Sequence, residues 1–204
     1  MILKKMKVKN FRLLKNFELD FKDELSLVIG KNNCGKTSAL IILDKMLNSS
    51  KVMWEDINLE CQKDLYKKIM DFDMSDQEKV ESLEAVNLQL FIEYNDNDSY
   101  ANIQKFMMDL NPDNNTIVLE FISLIPIKKI IELKEIINEK KLEDFILFSK
   151  FVSKNFSNFF ETKSTSCMLP TRCPRRTPVF RKTSSAFSQA FEALSFFLFD
   201  PFPC

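Results

Sequence analysis

Gly30-Lys31-Asn32-Asn33-Cys34-Gly35-Lys36-Thr37 satisfies G-x-x-x-x-G-K-[ST] and contains both of the chain's glycines. Average usage would supply about fourteen glycines in 204 residues, so their confinement to one loop is informative. A loop that wraps phosphates turns its backbone N–H groups inward, which needs angles and a close approach that a β-carbon obstructs. Upstream, Glu24-Leu25-Ser26-Leu27-Val28-Ile29 predicts a short buried strand. Downstream, Thr37 to Leu47 predicts a helix with Leu40, Leu43 and Leu47 on one face. Strand, glycine loop and helix is the order a phosphate-binding loop requires, with the helix N-terminus aimed at the anion. Lys36 supplies a point charge for the β- and γ-phosphates of ATP, and the Thr37 hydroxyl is placed for Mg2+. Lys31, Asn32, Asn33, Cys34 and Ser38 complete the expected nucleotide contacts. The other reading is a glycine turn before a core helix with Lys36 solvated, which needs both the spacing and the flanking elements to be accidental.

Composition narrows the remaining chemistry. The chain has 29 basic and 29 acidic residues, a net formal charge of zero, and a 45% apolar share, the balance of a globular protein with a core. That balance argues against holding nucleic acid or anionic lipid by bulk electrostatics. The absence of histidine excludes Ser-His-Asp and Cys-His catalysis within the chain. Five cysteines without C-x-x-C spacing read as reduced thiols, and neither a signal peptide nor a membrane-spanning run is present, so the expected location is the cytoplasm.

Along the chain, residues 2 to 9 predict a strand, Leu13-Leu14-Lys15-Asn16 a turn, and Phe17 to Phe21 a second strand. Residues 52 to 59 read as loop, and Leu59, Leu65 and Ile69 predict a helix over 59 to 70. Asp71, Asp73 and Asp76 have the spacing of metal ligands, but no glycine follows to turn such a loop, which favours a solvated acidic segment. Val86, Leu88, Leu90, Ile92 and Tyr94 alternate with polar residues and predict a strand with one wet face. Segments 103 to 110 and 116 to 125 flank the Asn111-Pro112-Asp113-Asn114-Asn115 turn, so 86–125 reads as an antiparallel meander. Two helices follow, 127 to 140 with Ile130, Leu133 and Ile137, and 142 to 160 with Phe145, Phe148, Val152 and Phe156.

Near residue 163 the composition changes. Isoleucine stops at Ile146 and asparagine at Asn158, while four of the five arginines and five of the seven prolines lie beyond residue 169. Segment 164–204 therefore reads as a change of reading frame or a junction, with a disordered tail as the alternative.

Val8-Lys9-Asn10-Phe11-Arg12, the hairpin to Phe21, and Leu27 through the glycine loop to Thr37 resemble the ABC-type ATPases of the RecF/SMC and OLD (overcoming lysogenisation defect) group, often labelled AAA family ATPases in bacteria. The resemblance implies an α/β P-loop NTPase fold: an ABC-ATPase-like N-terminal lobe over 1–163, with a mixed sheet, an antiparallel β meander and C-terminal helices. Its nucleotide-binding core is 1–47, followed by the meander over 86–125 and helices over 127–160. By the same resemblance Arg12 lies near the nucleotide; a surface arginine in a turn is the other reading. A complete site in this group also needs a Ser-Gly signature, an apolar run ending in Asp-Glu and usually a switch histidine. Both glycines are already used and there is no histidine. Phe196-Phe197-Leu198-Phe199-Asp200 imitates the apolar run, but Pro201 stands at the glutamate's place.

The resemblance thus implies the ATP-binding part of an OLD/SMC-like ATPase, truncated relative to its relatives. Its intact form would pair two ATPase heads as a homodimer, hydrolyse ATP and act on DNA in repair or phage defence, with no membrane involved. The competing reading is a non-hydrolysing nucleotide-binding or protein-interaction module.

Overall fold

The computed structural model describes residues 2–22, 26, 29, 31, 34–48, 51–72, 82–95 and 115–168. Strands β1 (Ile2–Phe11) and β2 (Leu14–Asp20) form a hairpin closed by Arg12 and Leu13. Phe11 pairs with Leu14 across the turn, and Arg12 takes a φ of 50° there. Two-residue hairpin loops call for positive φ because their twist must match that of the strands. The turn therefore falls earlier than the expected Leu13–Asn16. Leu14 is buried and belongs to the ladder, which starts β2 before Phe17.

Strands β3 (Ser82–Glu93), β4 (Thr116–Pro126) and β5 (Glu161–Met168) complete a five-stranded sheet in the order β2-β1-β3-β4-β5, with every described pairing antiparallel. Side chains alternate between its faces, apart from register irregularities at Leu3/Lys5 and Glu84/Val86. Phe17, Val8, Leu88, Phe121 and Ser164 form one row across all five strands, on the core side. Glu18, Lys7, Gln89, Glu120 and Thr165 form the adjacent row on the other face. There Lys7 meets Glu18 at 2.9 Å, and the Gln89 and Asn87 amides both donate to Glu120 Oε1, at 2.7 and 2.9 Å.

The mixed sheet and the full meander expected from the sequence depend on strands at 24–29 and 103–110. The second segment lies outside the described residues. Of the first, only Ser26 and Ile29 are described; neither is in a strand, and Ile29 is exposed. The other residues of that run, 24, 25, 27 and 28, lie outside the described residues.

Helices α1 (Lys36–Leu47), α2 (Leu59–Met70), α3 (Ile127–Lys140) and α4 (Phe145–Phe159) pack against the sheet around one core. Met6, Val8, Ile42, Leu65, Ile130 and Phe148 are fully enclosed in it. Helix α2 spans the residues expected of it. Asn58 caps it, its side chain accepting from Glu60 N at 3.1 Å. Helix α3 also has its expected bounds: Pro126 cannot extend a helix backwards, and Lys141 ends it at a φ of 51°.

Helix α4 starts at Phe145 instead of 142, because Leu142 N is used to close α3 on Ile137 O at 3.0 Å. Its buried stripe is Phe148, Val152, Phe156 and Phe159, while Phe145 is half-buried against Tyr66, ring centroids 5.8 Å apart. In α1 the buried face is Ser38, Ala39, Ile42, Leu43 and Met46. Leu40, expected on that face, points outward at 65% exposure, and Leu47 is only partly buried. Identical leucines could not reveal which side of α1 the sheet would cover.

Two segments differ more from the expectation. The 52–59 loop is an interior element: Trp54–Asp56 forms a 3-10 turn, and Trp54 packs edge-on against Phe148 and Phe160. Strand β5, which no periodicity announced, crosses residue 163 in continuous register with β4. The acidic residues Asp73 and Asp76 and all of 169–204, with Asp200 and Pro201, lie outside the described residues. Among the described residues no helix is long and apolar enough to cross a membrane.

Candidate nucleotide-binding site

Helix α1 begins at Lys36, directly after Gly35, whose φ of 92° and ψ of 6° are left-handed. A side chain there would be strained in its backbone, and its Cβ would stand 2.7 Å from Leu14 Cδ2 and 3.9 Å from Leu13 Cβ. The β1–β2 turn is therefore seated on Gly35, and the second glycine of the motif is favoured by its left-handed angle, with Leu14 needing to shift for any side chain placed there. Gly35 O accepts from Ala39 N at 3.1 Å, which opens the helix, but among the described residues no side chain caps α1 and its first turn holds no acid. The first N–H groups of a helix have no intrahelical acceptor and carry the positive end of the dipole, so this end suits an anion.

The side chains of the motif follow from that start. Lys36, half-buried, donates to Lys31 O at 2.7 Å and reaches Cys34 Sγ at 3.7 Å, which folds its ammonium back over the loop. Thr37 and Cys34 are exposed, and Ser38 is buried on the core side of α1. Gly30, Asn32 and Asn33 lie outside the described residues.

Arg12, the most distant of the expected site residues, lies in the turn seated on Gly35. Its Nε donates to Asp56 Oδ1 at 2.9 Å and its Nη2 reaches the same oxygen at 2.8 Å. Asp56 Oδ2 accepts from Lys45 Nζ at 2.8 Å and from Met53 N at 3.0 Å. Burial pushes the Asp56 carboxyl up, but the Lys45 ammonium, the Met53 N–H and the Arg12 guanidinium outweigh it and hold the group below its ordinary value. The cluster joins the β1–β2 turn, α1 and the 3-10 turn. Sequence reasoning missed Asp56 and Lys45. An acid in a three-residue turn carries no period, and its partner Arg12 is 44 positions away. Among the described residues no group of histidine, cysteine and acidic side chains could hold a metal ion by itself.

Residues 1–171 match the AAA ATPase domain family. The chain belongs to that family. A curated relative, "Endonuclease GajA" of Bacillus cereus (strain HuB5-5), is 31% identical over 149 residues, covering 59% of this chain and 22% of the relative. The chain thus spans about a fifth of that relative's length. The AAA ATPase domain match takes in every residue described above, including the hairpin, the glycine loop and β5. Nucleotide binding is the property this family membership carries.

Proposed function

We propose that this AAA ATPase domain binds Mg-ATP through Gly30, Lys31, Asn32, Asn33, Cys34, Gly35, Lys36, Thr37 and Ser38, with Arg12 at the edge of the site. The observation that carries the reading is the start of α1: a left-handed glycine at which a side chain is strained, followed by a helix that no described side chain caps and that bears Lys36 and Thr37 in its first turn. Lys36 addresses the β- and γ-phosphates and the Thr37 hydroxyl holds Mg2+, an ion that neutralises phosphate charge when bound. Helix N–H groups orient the chain of phosphates, and Gly35 lets the backbone approach it.

In its intact form we infer an OLD/SMC-like ATPase in which two heads close on ATP and act on DNA. Support for DNA comes from the relative named as an endonuclease and from the resemblance of the hairpin and glycine loop. A second reading is favoured by the glycine count: two glycines, both in the loop, leave none for a Ser-Gly signature, and no histidine is available. On that reading this chain binds nucleotide without turning it over.

Titration calorimetry with Mg-ATP, alongside a steady-state phosphate-release assay, tests both. Binding without release is the expected result for this chain. Turnover that Lys36→Ala abolishes would contradict the second reading, and an unchanged affinity in Lys36→Ala would sink the nucleotide site altogether.

A further inference from the structure

We infer that Asp56 is a positioning residue for nucleotide recognition, holding the Arg12 guanidinium in one orientation beside the glycine loop. The inference rests on the nucleotide-binding reading above, and Asp56 belongs to no motif in the chain. Two donors of Arg12 converge on Oδ1, at 2.9 and 2.8 Å, while Oδ2 is engaged by Lys45 Nζ and Met53 N. With both oxygens engaged the carboxylate has no freedom to rotate, and a planar guanidinium held through Nε and Nη2 keeps one plane.

Backbone bonds fix the same turn. Arg12 N donates to Asp56 O at 2.7 Å, the Asn58 side-chain amide donates to Arg12 O at 2.6 Å, and Asn58 N donates to Asn10 O at 2.8 Å. Residues 56 to 58 thereby grip the turn through main chain and side chain together, and Leu13 and Leu14 of that turn lie on Gly35. Asp56 is buried, with 4% of its side chain exposed, whereas the Arg12 side chain is 37% exposed. Nε and Nη2 of Arg12 are thus committed to a buried carboxylate, and the exposed part of the side chain can meet an oxyanion, such as the phosphate chain of a nucleotide. Freezing this long side chain before binding removes an entropy cost that a mobile arginine would bear on meeting its ligand.

The test is a double-mutant cycle on the full chain, read by the fluorescence of a ribose-labelled Mg-ATP analogue. Asp56→Asn and Arg12→Ala are each expected to weaken binding about tenfold, about 1.4 kcal/mol, and the double variant no further than either one. Additive losses would overturn the inference, since a purely structural Asp56 acts independently of Arg12. Should Asp56→Asn fail to fold by circular dichroism, Arg12→Lys decides. Lysine keeps a charge for Asp56 but lacks the fork, so the melting temperature is expected to hold while affinity falls about tenfold. Wild-type affinity in Arg12→Lys, with binding lost in Lys36→Ala, would overturn this inference alone. Unchanged affinity in Lys36→Ala would remove the nucleotide reading and this inference with it.

Discussion

Helix α1 meets opposite surroundings at its two ends. Its first turn carries Lys36 and Thr37 behind a left-handed glycine, with no capping side chain and no acid among the described residues. Toward its last turn, Lys45 is drawn onto a buried carboxylate whose two oxygens accept from Arg12, Lys45 and Met53. The buried Asp56 carboxylate, satisfied within the protein, contributes to its stability, whereas groups left at a helix terminus can be satisfied by an anion. The contrast divides the helix into an end tied into an internal ion-pair cluster and an end that is the proposed anion site.

Removing the carboxylate is the most severe way to break that division. Asp56→Ala leaves two cations facing each other across a buried gap, and urea unfolding should show a loss of about 3 kcal/mol. A change below about 1 kcal/mol would mean that the cluster is not a structural anchor. At the other end, Lys36→Ala should weaken Mg-ATP binding by about 2 kcal/mol, or roughly thirtyfold, while urea stability stays within about 0.5 kcal/mol. A large stability loss would place Lys36 with the anchor instead.

Gly35→Ala tests the junction between the two. Its left-handed backbone and the Leu14 contact predict a loss of about 1–2 kcal/mol in thermal or urea unfolding. Acid provides a gentler probe of the anchor. The folded Asp56 carboxyl titrates below its ordinary value of 3.8, so its contribution is complete above that pH and is lost as the pH falls through the folded value. Asp56→Asn should therefore flatten the part of the stability profile below about pH 4, with no change in slope near neutrality. The smallest effect is expected from Leu40→Ser on the exposed face of α1, within about 0.5 kcal/mol, measured by urea unfolding.

Much of the fold was legible where one local rule decided it. Pro126 announced the start of α3, and the spacing of Leu59, Leu65 and Ile69 announced α2. Helix α4 was legible in its stripe but not in its start, because the residues before Phe145 are used to end α3. Strand β5 was hidden for a different cause: Glu161–Met168 has neither apolar alternation nor turn residues, and it is a strand because β4 offers an open edge. The Trp54–Asp56 turn was likewise read only as loop, since nothing in three residues reveals that a tryptophan will be enclosed by Phe148 and Phe160.

The sequence by itself determined the G-x-x-x-x-G-K-[ST] loop and the chemistry proposed for it, because that motif is read from fixed offsets within eight residues. It also determined the family likeness and most helix bounds, all set within a few residues. Only the tertiary structure decided that the Arg12 turn sits on Gly35, that Leu40 faces outward, and that Asp56 gathers Arg12 and Lys45. Those pairings join residues far apart in the chain, and their energy exists only once the sheet and helices have brought them together.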